Sequence, residues 1–150
     1  MLWLTLDQDR VVHDAQGQAR VALPLLASTH WNTAADAGFP PTASQLEQAI
    51  AVIEDLLMPQ LPLPGAPAPG LHARSAAPDA LREPAGLAPC GRQWLARESL
   101  EALFNRLADA ANGTPLRLLG LPDDPVLAAH VVGLRELLHH ADLAGLWLEA

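Results

Sequence analysis

The sequence of 150 residues contains no lysine, no tyrosine and only one cysteine. Without lysine, the chain has neither a Schiff-base amine nor the lysine of a phosphate-binding loop, so both chemistries are excluded. Cys90 has no second cysteine in the chain, so no intramolecular disulfide can form. A chain without disulfides fits a reducing compartment. Because every cation is an arginine, as a GC-rich genome favours, we predict a bacterial, cytoplasmic protein.

Positive charge is also scarce. Nine basic residues stand against 17 acidic ones, and the formal net charge is −8. Nucleic-acid affinity depends on cations that neutralise phosphates, so we predict that the chain has no nucleic-acid partner. Anionic lipid surfaces are excluded for the same reason, and no apolar run reaches the 18 or so residues of a membrane span. We therefore predict no membrane partner.

The remaining composition is that of a globular domain, with 50% hydrophobic and 17% charged residues. A chain of this length predicts one domain over residues 1–150. Residues 2–6 alternate leucine with Trp3 and Thr5, which is the period of a half-buried strand. Shorter strands are predicted at 11–13 and 20–23, each preceded by a turn. Together they predict an N-terminal antiparallel β-meander.

Three segments repeat apolar residues at helical spacing. The predicted helices cover residues 45–57, 97–111 and 125–140. Ser44 and Glu47 have the spacing of a capping box at the start of the first. Asp124 followed by Pro125 predicts the start of the third, because aspartate caps helices and proline is favoured at the first helical position.

Short apolar runs at 116–121 and 146–148 predict two more strands, on either side of the third helix. A strand–helix–strand crossover normally places its two strands parallel. The predicted fold class is therefore α+β. The N-terminal antiparallel β-meander is continued by a C-terminal strand–helix–strand unit into one mixed sheet with about three helices.

A proline-rich loop is predicted at about 58–93, because proline disfavours helix interiors and central strands. Leu61, Leu63 and Leu71 in this loop are exposed unless they pack on a partner or on the domain itself. This feature motivates the leading hypothesis, a small non-enzymatic binding or protein-interaction module with no cofactor. Its expected partner is a protein, including the option of a homo-oligomer of this chain.

Residues 4–11, with the sequence LTLDQDRV, form an apolar strand that runs into two aspartates. This segment resembles the first motif of the haloacid dehalogenase superfamily, in which a strand ends in Asp-x-Asp-x-Thr/Val. The resemblance implies that Asp7 is a nucleophile and that Asp9 is a general acid/base. A plain acidic turn after a strand is the alternative interpretation of the same residues.

Residues 118–124, with the sequence LLGLPDD, resemble the last motif of the same superfamily, a strand ending in acidic residues that hold magnesium. The resemblance implies a metal site of Asp7, Asp123 and Asp124, with Mg²⁺ as cofactor. The alternative function is thus a magnesium-dependent phosphohydrolase. A helix cap at Asp124 is the simpler interpretation.

A loop cluster of imidazole, indole and amide side chains is a candidate binding site for a small ligand. It consists of His30, Trp31 and Asn32, and its alternative interpretation is a loop anchored in the core by Trp31. Near the chain end, Glu136 and His140 are four residues apart on a predicted helix and so can pair as ions. Glu54 is interpreted as part of a solvated helix face.

Overall fold

The computed structural model describes residues 2–6, 10–24, 29, 31, 39–63, 70–73 and 76–149. The strands in this part of the chain are β1 (Leu2–Leu4), β2 (Arg10–Asp14), β3 (Ala19–Ala22), β4 (Gly70–Ala73), β5 (Gln93–Ala96) and β6 (Gly145–Leu148). The helices are α1 (Ala43–Leu57), α2 (Ala76–Asp79), α3 (Arg97–Ala111), α4 (Leu116–Leu119) and α5 (Pro125–His140). A 3-10 turn, Met58–Gln60, follows α1 directly.

All six described strands join one sheet in the order β3-β2-β1-β4-β6-β5. β1, β2 and β3 pair antiparallel, which is the predicted meander. β4 pairs parallel to β1 on one side and to β6 on the other, and β5 closes the far edge antiparallel to β6. The predicted α+β class with one mixed sheet is confirmed.

The C-terminal strand–helix–strand unit is also present, but its first strand is β5. The strand predicted at 116–121 is wrong, because Leu116–Leu119 form α4 and Gly120 ends it with φ 65°. Leucine favours helices at least as well as strands, and a short apolar run does not distinguish the two. The predicted parallel pairing is wrong as well. Two long helices, α3 and α5, separate β5 from β6, so the chain returns antiparallel.

Helix ends follow local hydrogen-bonding chemistry. α1 begins two residues earlier than predicted, and its capping box is formed by Thr42 and Gln45, not by Ser44 and Glu47. Thr42 Oγ1 accepts from the Gln45 backbone N–H at 3.1 Å, and Gln45 Oε1 accepts from the Thr42 N–H at 2.9 Å. The predicted cap of α5 is confirmed, since Asp124 Oδ1 accepts two backbone N–H bonds.

The proline-rich segment at 58–93 is not a continuous loop in its described parts. It contains β4, which lies in the middle of the sheet, and Gln93 already belongs to β5. Leu71 on β4 is 0% exposed, so it packs within the domain. Leu61 and Leu63 are partly buried against the same core. No proline lies within the four residues of β4, and this allows it to pair on both sides.

The core lies between one face of the sheet and the long helices. The inward strand residues include Leu4, Val12, Leu71, Leu95, Leu146 and Leu148. They form one cluster with the buried stripes of α1, α3 and α5. Because strand side chains alternate in direction, the next residue along each strand points to the opposite, outer face. Every described helix is too short or too polar to cross a bilayer.

Candidate functional site

The outer face of the sheet carries a row of aromatic and imidazole rings, one from each of five adjacent strands. In spatial order the row is Trp94, Trp147, His72, Trp3 and His13. Each residue is the direct cross-strand partner of the next. The five side chains are neither fully buried nor fully exposed. We call this row, with the charged side chains that contact it, the outer aromatic row.

Rings on neighbouring strands contact each other along the row. The Trp94 and Trp147 ring centroids are 5.1 Å apart with planes tilted by 59°, and those of Trp3 and His72 are 5.5 Å apart. The Arg92 guanidinium carbon lies 4.1 Å from the Trp147 ring centroid, which is cation–π geometry. These contacts place broad ring faces side by side on the sheet.

Two glycines make room for Trp94. A Cβ atom built on Gly145 would lie 2.7 Å from Trp94 Cζ2 and would also meet the Leu95 carbonyl oxygen. A Cβ on Gly70 would meet the Gly145 carbonyl oxygen and would lie 3.0 Å from Trp94 Cη2. Trp94 therefore lies over the bare backbone of two neighbouring strands. Any side chain at either glycine would displace it.

Glu149 contacts both His72 and Arg92 beside the row. Its Oε1 shares a 2.6 Å hydrogen bond with His72 Nδ1, and its Oε2 lies 3.2 Å from Arg92 Nε. The hydrogen bond from His72 and the charge of Arg92 hold the pKa of the Glu149 carboxyl below its ordinary value, although burial opposes this shift. Arg82, only 3% exposed, donates to the Glu149 backbone carbonyl and so fixes this residue in place.

A second ion pair lies at the His13 end of the row. Arg20 donates to Asp14 Oδ2 at 2.8 Å, and the backbone N–H of Gln18 donates to Asp14 Oδ1. The Gln18 bond is the main reason why the Asp14 pKa lies below its ordinary value. Next to this pair, Trp3 and His13 line an open hollow of about 300 Å³. The outer aromatic row thus combines aromatic rings with two ion pairs, one beside Trp147 and His72 and one at the His13 end.

Glu149→Gln is expected to destabilise the domain by about 1 kcal/mol near neutral pH, because it removes charge-assisted hydrogen bonds. The folded-state pKa lies below the ordinary value of 4.5, so the carboxylate stabilises the fold above that pH and loses this effect as pH falls below it. Urea unfolding at several pH values should show the difference between the two proteins shrinking in acid. The exposed Glu83→Gln is the control, and a difference that does not change with pH would contradict the assignment.

The predicted ligand cluster falls only partly within the described residues. Trp31 is 2% exposed, and its indole N–H donates to the Pro125 carbonyl at 3.1 Å. This bond ties the residue to the start of α5. His30 and Asn32 lie outside the described residues. Ligand binding by these three residues stays a prediction.

The predicted magnesium site is likewise only partly described. Asp7 and Asp9 lie outside the described residues, Asp123 is exposed, and Asp124 Oδ1 caps α5 with bonds of 3.1 Å to Val126 N and Leu127 N. The helix cap is therefore present at Asp124. A shared metal site of Asp7, Asp123 and Asp124, with Asp9 as acid/base, stays a prediction.

On the helical side of the molecule, α1 and α5 bring a carboxylate–imidazole cluster together. His140 Nε2 lies 3.0 Å from Glu136 Oε2, which is the predicted pairing, and 3.2 Å from Glu54 Oε1. Glu136 is only 1% exposed, and its Oε1 accepts from Arg135 Nη1 at 2.6 Å. Glu54 joins from the other helix, although its side chain is 43% exposed. The i, i+4 spacing predicts Glu136 with His140, but no sequence signal identifies Glu54 as the third member.

The outer aromatic row was not predicted as a site. The alternation around Trp3 and the tryptophan within 146–148 are the signals that point to it. The row itself depends on cross-strand register between distant segments, which periodicity within one segment does not reveal.

Comparison with known proteins gives this chain no relative. No protein-family model, curated protein or solved structure matches it. The function must therefore be inferred from the chain's own geometry.

Proposed function

We propose that this chain is a non-enzymatic protein-interaction module, that the outer aromatic row is its binding surface, and that a second copy of the chain is its partner. The observation that carries the proposal is the row itself. Three of the four tryptophans of the chain lie together on the sheet face opposite the long helices. Tryptophan and arginine are the residues that most often dominate binding energy at protein interfaces.

The charge distribution favours a second copy as the occupant. The whole chain carries a net charge of −8, so most contacts between copies would bring acidic surfaces together. At the outer aromatic row, by contrast, Asp14 is paired with Arg20 and Glu149 with Arg92. This surface therefore brings little net charge to an interface, and two copies can approach there without strong repulsion.

The arrangement of the row also suits two-fold symmetry. In a two-fold dimer the same patch meets itself, so where one residue of the first copy contacts a given residue of the second, the reciprocal contact is also formed. The row carries one ion pair, Asp14–Arg20, at its His13 end and a second, Glu149–Arg92, beside Trp147 and His72. Sheet-on-sheet packing with interdigitated side chains is a common protein arrangement.

Arg92→Glu is expected to weaken self-association at least about tenfold, because it places two like charges beside Trp147 and removes a cation–π contact. Sedimentation velocity over a wide range of protein concentrations measures this effect. The matched control is Arg117→Glu, which makes the same charge change at an exposed position on α4. Circular dichroism should show that both variants remain folded.

Two results would contradict the proposal. One is a wild-type chain that stays monomeric at every concentration, and the other is equal behaviour of the two charge variants. Magnesium-dependent hydrolysis of a generic phosphate ester, lost in Asp7→Asn, would favour the phosphohydrolase alternative instead. The cytoplasmic location is proposed on the lone Cys90, an exposed thiol that fits a reducing compartment.

A further inference from the structure

The carboxylate–imidazole cluster between α1 and α5 has the composition and spacing of a metal site. The ligand atoms of Glu54, Glu136 and His140 all lie within 4.8 Å of one another. The two separations measured from His140 Nε2 are 3.0 Å and 3.2 Å. A tetrahedral Zn²⁺ with bonds of about 2.1 Å holds its ligand atoms about 3.4 Å apart, so only small side-chain movements are needed.

The surrounding residues prepare Glu136 to act as a ligand. Arg135 occupies Glu136 Oε1 at 2.6 Å and leaves Oε2 directed at His140. The Arg135 guanidinium carbon in turn lies 4.3 Å from the Phe104 ring centroid, which fixes its position. A carboxylate oriented by a second hydrogen-bonding partner is the usual arrangement around protein-bound metals.

His140 Nε2 lies between the carboxylates of Glu54 and Glu136, where a metal would bind. His140 Nε2 faces two carboxylate oxygens, and one N–H cannot donate fully to both. Zn²⁺ would contact His140 Nε2 and both carboxylates at once.

We propose that Glu54, Glu136 and His140 bind one Zn²⁺ and thereby connect α1 to α5. The three side chains supply one nitrogen and two oxygen ligands, a mixed set that suits Zn²⁺. Glu54 is 43% exposed on its side chain and His140 is 20% exposed, so the fourth coordination position opens to solvent and is filled by water. This site lies on the helical side of the domain and is independent of the outer aromatic row.

Binding is tested with the full-length, untagged chain after chelator treatment and removal of the chelator. Zn²⁺ is titrated in competition with a chromophoric chelator, and Co²⁺ serves as a spectroscopic substitute. We expect one equivalent to bind. The groups facing His140 are Glu54, Glu136 and the His139 ring, whose centroid lies 5.0 Å away.

Glu54→Gln and His140→Gln should each weaken Zn²⁺ binding at least about tenfold, since even the loss of an outer-shell partner commonly costs about 10–100-fold. The matched controls are Glu47→Gln, an exposed acid on the same helix, and His139→Gln, the adjacent exposed histidine. Both controls should bind as the wild type does. Zn²⁺ should also raise the unfolding temperature of the wild type and the controls, but not of the two ligand variants.

Three results would overturn the proposal. They are a wild-type chain that binds no Zn²⁺, ligand variants that bind as tightly as the wild type, and a His139→Gln variant that loses binding as fully as His140→Gln. Glu54→Gln alters a half-exposed side chain and leaves the Arg135–Glu136 pair in place, so it should fold even where a larger change would not.

Discussion

Gly145→Ala is expected to destabilise the domain by about 3 kcal/mol, the upper part of the usual range for overpacked sites. Its new methyl group would meet the Leu95 carbonyl oxygen and would lie 2.7 Å from Trp94 Cζ2. The ring can move, but the carbonyl belongs to β5, which pairs with β6 through Gly145 itself. The backbones of β5 and β6 must therefore move apart. Chemical denaturation should show the decrease in the free energy of unfolding.

Gly17→Ala is the matched control for this substitution. Nothing lies within 4 Å of a Cβ at Gly17, so the change adds only the strain of an alanine at φ +81°. That strain costs about 1–2 kcal/mol. Gly145→Ala should thus be clearly the more damaging of the two, and Trp94 fluorescence should change only there. Equal losses from both substitutions would mean that the close approach of β5 and β6 does not limit residue size.

Leu71→Ala is expected to cost about 3 kcal/mol, within the range of about 2–5 kcal/mol for buried leucine truncations. Leu71 is 0% exposed on β4, with β1 on one side and β6 on the other. Because strands flank Leu71 on both sides and helices cover its face, the neighbouring residues have little freedom to move into the cavity that the truncation leaves. Urea denaturation with an unchanged slope measures this loss as a change in stability alone.

Leu118→Ala removes the same atoms from an exposed position and serves as the control. Leu118 is 69% exposed on α4, so its truncation should change stability by no more than about 0.5 kcal/mol. If Leu71→Ala were equally mild, β4 would not be a buried central strand, and the sheet order described above would be wrong.

The long helices could be predicted from the sequence because their signals are local. α3 matches its predicted bounds, and α5 begins at the predicted cap, where Asp124 bonds to N–H groups two and three residues further along the chain. The Thr42 capping box was missed although it is local as well. Thr42 and Ser44 each precede a suitable partner by three residues, and only the fold decides which one caps α1.

β4 could not be predicted, because its four residues carry no local strand pattern. Gly70–Ala73 follows a proline-rich stretch, and Leu71 and Ala73 are its only two apolar side chains. Its conformation is set by pairing with β1 and β6, which are distant in sequence. For residues 116–121 the error is the reverse: the leucines have a strand-like pattern, but the segment has no strand neighbour among the described residues.

In the candidate sites too, local spacing could be predicted from the sequence and contacts between distant segments could not. Glu136 with His140 follows from helical spacing alone, whereas Glu54 reaches them only through the packing of α1 on α5. In the outer aromatic row, the outward direction of Trp3 follows from alternation. Its position beside His72 depends on a parallel pairing across about 70 residues of chain. Distances of this kind are properties of the fold and not of any one segment.

The central position of β4 has a consequence for how the chain folds. Among the strands that the structure describes, the N-terminal hairpins are joined to the β5–β6 pair by this four-residue strand alone. Neither half of the sheet can be joined to the other until β4 has closed loops to both, and loop closure between distant segments slows folding. The pairing of β4 with β1 and β6 is therefore the step that joins the two halves of the sheet. We expect the two halves to fold and unfold as one cooperative unit.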